Sequence, residues 1–307
     1  MKPHHLIILC SIMLISSCAS HVTKPDHNKS FVKFDQFSSA HWQRFTLIYT
    51  PADWPEDLTA EVIHPNPDVE GLPIMLLVHG GGWQRRTYED MHPIAEYWSK
   101  RGFITVNIAY RFAPKYQHPA QLHDVQTAMH WIESQRARWG ANNTQVVAFG
   151  FSSGAHLVAL MANVAGQKSD LNKPHGGIIT RPDLVILGGL PSDLQKWEKG
   201  RLIEDFLGGT RAEIPEHYKD ASPITHINPD TPPSFLFHGR IDRLVPPDHA
   251  IDYVDALNKS NIPVSLNLLP LRGHMTSFIF RGNALSEAET FIINHLNINF
   301  HKPNRSE

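Results

Sequence analysis

The five residues Gly150-Phe151-Ser152-Ser153-Gly154 are the part of this chain best suited to chemistry. A serine between two glycines is a common pattern, so its setting decides its meaning. The apolar run 146–149 precedes it and a helix-forming run 153–165 follows, which puts Ser152 on a strand–turn–helix bend. The glycines permit a sharp turn, and the start of the next helix offers unused N–H groups to developing negative charge. A serine hydroxyl is a weak nucleophile at neutral pH and needs a base, which in turn needs an acid to fix its tautomer. His274 and Asp242 fit these roles. His274 lies just past the expected strand Val264–Leu269, and Asp242 just past the run 234–237. The order Ser152, Asp242, His274 and the position of each residue beyond a strand suit an open α/β sheet.

A second glycine pattern, His79-Gly80-Gly81-Gly82-Trp83, follows the run Ile74–Val78. Its bare backbone donors could hold an oxyanion, an interaction worth about 3–4 kcal/mol per donor in hydrolases. The N–H groups of Gly81, Gly82 and Ser153 are the expected donors. Other candidates are weaker. The chain has 20 histidines, so most must be structural or solvated. His156, four residues past Ser152, reads as a packed helix residue, and His79 as a residue that orders its loop. Asp193 is a possible stand-in acid, and Asp124, inside a helical run, reads as structural. No His, Cys or Asp cluster has metal-ligand spacing and no glycine-rich phosphate loop occurs, so neither metal nor cofactor is expected.

The elements around these residues alternate. Runs 44–50 and 58–64 read as early strands. Then come continuous apolar runs at Ile74–Val78, 103–109, 146–149, 184–187 and 234–237. Runs without alternation mark strands buried on both faces. Helical stretches 89–100, 119–138, 153–165, 247–258 and 284–296 fall around them. The expected fold is α/β: a mostly parallel central sheet with helices on both faces. Residues 191–230, rich in charge and proline, break the rhythm and read as a small cap insertion. The hydrolytic domain is expected over 41–298, with a polar tail at 299–307.

The N-terminus reads differently. Lys2 precedes the apolar run 6–15, which is too short to span a bilayer as a mature helix and describes a secretory signal over 1–17. The stretch Ile15-Ser16-Ser17-Cys18 resembles a bacterial lipobox, which implies cleavage before Cys18 and its lipidation. Cys10 and Cys18 are the only cysteines, so the domain has none to pair, although export would allow it. Residues 18–40 then form a lipidated N-terminus and tether, and the protein is exported and held at the membrane by lipid alone. Apolar residues make up 41% and charged residues 19%, an ordinary globular composition. A formal net charge of -2 gives no attraction to nucleic acid.

With Tyr110-Arg111-Phe112-Ala113-Pro114 and Val245-Pro246 added, these motifs resemble the esterase branch of the α/β-hydrolases over about residues 58–296. The nearest groups are hormone-sensitive-lipase-like carboxylesterases and the acetyl, acetylxylan and feruloyl esterases. The resemblance implies hydrolysis of short acyl or acylated sugar esters through an acyl-enzyme. Ser152-Ser153-Gly154-Ala155-His156-Leu157 and the tryptophan of the glycine loop also resemble kynurenine formamidases, which implies an N-formyl amide as the alternative substrate. A third possibility is a non-catalytic binding protein on this scaffold, but no triad residue is missing. Ser153 departs from the alanine usual in both families, a change that leaves its backbone donor in place. Oligomeric state is not legible.

Overall fold

The computed structural model describes residues 37–296 and 298. The expected signal, Cys18, nearly all of the tether and the polar tail lie outside the described residues. Eight strands run in chain order as β1 (Gln43–Ile48), β2 (Thr59–His64), β3 (Ile74–Val78), β4 (Ile104–Ile108), β5 (Val146–Phe151), β6 (Leu184–Gly188), β7 (Ser234–Gly239) and β8 (Val264–Leu269). They form one sheet ordered β1-β2-β4-β3-β5-β6-β7-β8. β2 is antiparallel to both neighbours, and every other pairing is parallel.

The strands from β3 to β7 are buried on both faces, which explains their apolar runs, whereas the edge strands β1 and β8 are largely exposed or half-buried. Along β3, Ile74, Leu76 and Val78 pack on one side with α2 (Ala120–Gln135), α3 (Ser153–Val164) and α6 (Asp248–Lys259). Met75 and Leu77 face the other way, onto α1 (His92–Ser99) and α8 (Ala284–His295). Three shorter helices complete the set: α4 (Arg201–Leu207), α5 (Pro215–Asp220) and α7 (His274–Ile279). No helix among the described residues is long and apolar enough to cross a membrane.

Two helical expectations change. The stretch 89–100 is a single 3-10 turn at Tyr88–Met91 followed by α1. Pro93 sits in the first turn of α1, where a missing N–H costs nothing, so the α-helix begins at His92. The short helix α7, which starts at His274 itself, was not anticipated. Thr276 nucleates it by accepting the Gly273 N–H through its hydroxyl at 2.8 Å. The Phe37 N–H donates to Lys100 O at the C-terminal end of α1. That is the end of the sheet where the parallel strands begin. Ser152, Asp242 and His274 lie past the ends of β5, β7 and β8, at the opposite edge.

Candidate active site

The bend at Ser152 is built by close backbone approach. A side chain on Gly154 would place its first carbon 2.1 Å from Val78 O and 2.5 Å from His79 O, so only glycine lets α3 start against β3. Ser152 has φ 54° and ψ -123°, a strained conformation for a residue with a side chain. Its N–H donates to Gly188 O of β6 at 2.8 Å, which ties the bend to the neighbouring strand. The side chain is left half-buried at the floor of a cavity.

Ser152, His274 and Asp242, widely spaced in sequence, meet in one line. His274 Nε2 lies 2.8 Å from Ser152 Oγ, and His274 Nδ1 lies 2.6 Å from Asp242 Oδ2. The carboxylate only accepts, so it fixes the ring proton on Nδ1 and leaves Nε2 to accept from the serine hydroxyl. Asp242 is held in turn by the N–H groups of Leu244 and Val245, which donate to Oδ1 at 2.9 and 3.0 Å. Burial pushes the Asp242 carboxyl up, but the hydrogen bond and charge of His274 with the Val245 amide hold it below the usual range. His238, at the end of β7, donates from Nε2 to Val245 O at 2.8 Å and stands 3.5 Å from Asp242 Oδ2. It braces the loop that carries the acid.

The glycine loop lies across from this line. Gly81 and Gly82 border the same cavity as Ser152 and His274. No backbone carbonyl among the described residues takes the N–H of Gly81 or Gly82, and Ser153 N–H is unused at the first position of α3. These are the donors expected from the sequence. Gly81 has φ 132°, and a side-chain carbon there would fall 1.9 Å from Arg85 O, so the loop folds tightly back on itself. Its histidine, His79, donates from Nδ1 to Gly80 O at 2.6 Å and stacks on Tyr110 with ring centres 4.4 Å apart.

Two residues do work that the sequence reading understated. The Ser153 hydroxyl is buried 3.2 Å from the Tyr110 hydroxyl, which also donates to His79 O at 3.1 Å. The departure from alanine therefore adds a tie between α3 and the glycine loop. His156 is fully buried. It donates from Nε2 to Ala221 O at 2.7 Å and accepts at Nδ1 from Trp83 Nε1 at 3.2 Å. Accepting at Nδ1 requires the neutral ring, and burial holds its pKa at about 4. Asp193 makes its hydrogen bonds with Gln195, Ser222 and His249 rather than with His274. It caps the turn Leu194–Lys196 and accepts from the Gln195 amide, so it is no stand-in for Asp242. Asp124 is clamped by Arg111 at 2.7 Å and by Trp54 Nε1 at 2.8 Å, a buried structural pair.

The insertion over 191–230 closes the cavity's far side. Trp83 stacks on Phe206 of α4 with ring centres 4.4 Å apart, and Gln84 donates to Leu202 O and Asp205. The cavity is about 760 Å³. Phe151, Leu244, Met275, Phe278 and Ile279 give it an apolar wall beside His274. Among the described residues no group of three His, Cys, Asp or Glu could hold a metal.

Sheet order, crossover pattern and the bend at Ser152 are those of an α/β-hydrolase fold. The chain belongs to the BD-FAE family, whose profile matches residues 61–257, a span that includes Ser152 and Asp242 and stops short of His274. The probable carboxylic ester hydrolase LipM of Mycobacterium tuberculosis is 29% identical over 225 residues, covering 68% of this chain and 51% of that protein. Esterase LipC of the same organism is 29% identical over 212 residues, covering 66% of this chain and 52% of the relative. The chain thus spans about half the length of these curated relatives. Among solved structures, a truncated carbohydrate esterase from gut microbiota superposes with a TM-score of 0.73 at 20% identity, covering 85% of this chain and 98% of its own. Esterase Est2 of Thermogutta terrifontis superposes with a TM-score of 0.69 at 24% identity, covering 86% and 95%. At those identities the structures speak for the fold alone.

Proposed function

We propose that this protein hydrolyses carboxylic esters through an acyl-enzyme. The observation that carries this reading is the continuous line from Ser152 Oγ to His274 to Asp242, at 2.8 and 2.6 Å, at the floor of an open cavity. Ser152 attacks the ester carbonyl while His274 Nε2 takes its proton and Asp242 stabilises the charged ring. The N–H groups of Gly81, Gly82 and Ser153 receive the oxyanion. The alcohol leaves with the proton from His274, and water repeats the attack with the same base. Short acyl groups on sugars are the proposed substrate class. In support, a carbohydrate esterase shares this fold, as does a hydrolase described as an acetyl ester-xyloside enzyme.

Ser152→Ala should abolish turnover of p-nitrophenyl acetate while thermal unfolding stays unchanged. Undiminished turnover would overturn the assignment. Export and lipidation at Cys18 belong to the same proposal. Palmitate labelling that disappears in Cys18→Ala supports them, and labelling that persists refutes them.

A further inference from the structure

The cavity over Ser152 has two unlike walls. Beside His274 it is apolar. On the side of the glycine loop and the insertion it is lined by Arg85, Arg86 and Arg201, with Asp90 as the one acidic residue of the lining. Three arginines stand against Asp90 in the lining and Asp205 just behind it, a balance of one positive charge, in a chain whose formal net charge is -2. The cationic side is thus a local feature that opposes the protein's overall charge.

These arginines are not deeply committed elsewhere. Arg86 stands 3.5 Å from Asp90 and Arg201 stands 3.5 Å from Asp205, both exposed pairs of the weak kind. Arg85 has no carboxylate partner among the described residues. Their backbone, by contrast, is tightly fixed. Trp83 and Arg86 both have positive φ, at 60° and 81°, within a loop that folds back onto Gly81. Gln84 donates to Leu202 O at 3.3 Å and to Asp205 Oδ2 at 3.2 Å, so the loop carrying Arg85 and Arg86 is pinned to the helix that begins with Arg201. All three side chains are exposed, Arg201 to 93%, so they stand as cations on a fixed base at the rim of the cavity, a setting suited to drawing in and holding an anion. A guanidinium fork matches a carboxylate or phosphate in two parallel hydrogen bonds.

We infer that the substrate is an ester bearing an anionic group, gripped by Arg85, Arg86 and Arg201 while its apolar portion lies against the wall beside His274. This rests on the ester-hydrolase reading and narrows it. It needs no change to the reaction, since the anion binds and leaves without bond-making.

Two matched pairs of chromogenic esters test it. One sets p-nitrophenyl hydrogen glutarate against p-nitrophenyl valerate, with the charge on the acyl side. The other sets o-nitrophenyl acetate against its ring-carboxylated analogue, with the charge on the alcohol side. The ratio of kcat/KM, charged over neutral, should exceed one in at least one pair at low salt. That pair identifies which half of the ester carries the anion. The ratio should fall about ten-fold in the triple variant R85Q/R86Q/R201Q. It should also fall in the wild type as salt approaches about 1 M, where the screening length is near 3 Å. Labelling of Ser152 by a fluorophosphonate in the triple variant verifies that its site is assembled. A ratio at or below one in both pairs, or one the triple variant leaves unmoved, overturns the anionic-substrate inference alone. Failure of the wild type to turn over any of the four esters overturns the ester-hydrolase reading with it.

Discussion

The two flanks of Ser152 use histidine in opposite ways. On the β7–β8 flank, His274 faces the Asp242 carboxylate at 2.6 Å and opens onto the cavity. On the β3–α3 flank, His79 and His156 face carbonyls and a tryptophan N–H, and burial holds both near a pKa of 4. The imidazole is the same in each place. In the proposed reaction a carboxylate with access to the reacting centre makes it a base, and burial among neutral partners makes it a fixed structural link. The first flank should therefore govern turnover, and the second should govern stability.

The sharpest way to break this contrast is at Asp242. Asp242→Asn should lower kcat by about four orders of magnitude, because the amide no longer holds the His274 proton on Nδ1. The melting temperature should barely move. A variant that unfolds early but retains turnover would exchange the roles of the two flanks.

The opposite flank is tested at His156. His156→Ala leaves Trp83 Nε1 and Ala221 O without partners and opens a buried hole, so stability should fall by about 3 kcal/mol in urea titration. The pH dependence sharpens this. His156 has a folded pKa of about 4, against about 6.5 unfolded. Above pH 6.5 neither state is protonated and the ring adds no slope. As pH falls from about 6.5 to about 4, the unfolded chain takes up the proton first, and stability drops by up to about 1.4 kcal/mol per pH unit for each such ring. His79, His123 and His249 are held near 4 mainly by burial too, so the wild type should weaken steeply across this window. His156→Ala should be measurably less steep; an equal slope would remove His156 from the account.

The smallest effect belongs to Ser153→Ala. It removes one partner of the Tyr110 hydroxyl, which keeps its bond to His79 O, so the loss should be about 1 kcal/mol. Turnover should change by only a few-fold, since the Ser153 N–H is untouched. A collapse of kcat would mean that the hydroxyl, rather than the backbone, serves the reaction.

Much of this flank structure was not legible in the chain. Ser152, Asp242 and His274 could be aligned because each follows a strand, buried for β5 and β7 and half-buried for β8, and strand ends converge on one edge in an open parallel sheet. The glycine patterns announced close backbone approach, and Gly154 against Val78 O is that approach. The partners of His156, by contrast, come from Trp83 and from Ala221 in the insertion, which no periodicity connects. The Ser153–Tyr110 contact joins α3 to the segment after β4 for the same reason. Arg85, Arg86 and Arg201 become one cationic wall only when Gln84 docks on Leu202 and Asp205. The start of α7 at His274 depends on a Thr276 bond too local and too short to mark a helix by pattern.

The position of Phe37 has a practical consequence. Its bond to Lys100 sets the first described residue at the end of the sheet remote from Ser152. A label or surface attached at Phe37 would approach the molecule from the end of the sheet away from the cavity. Attachment at Phe37 and access to Ser152 then do not compete for one face.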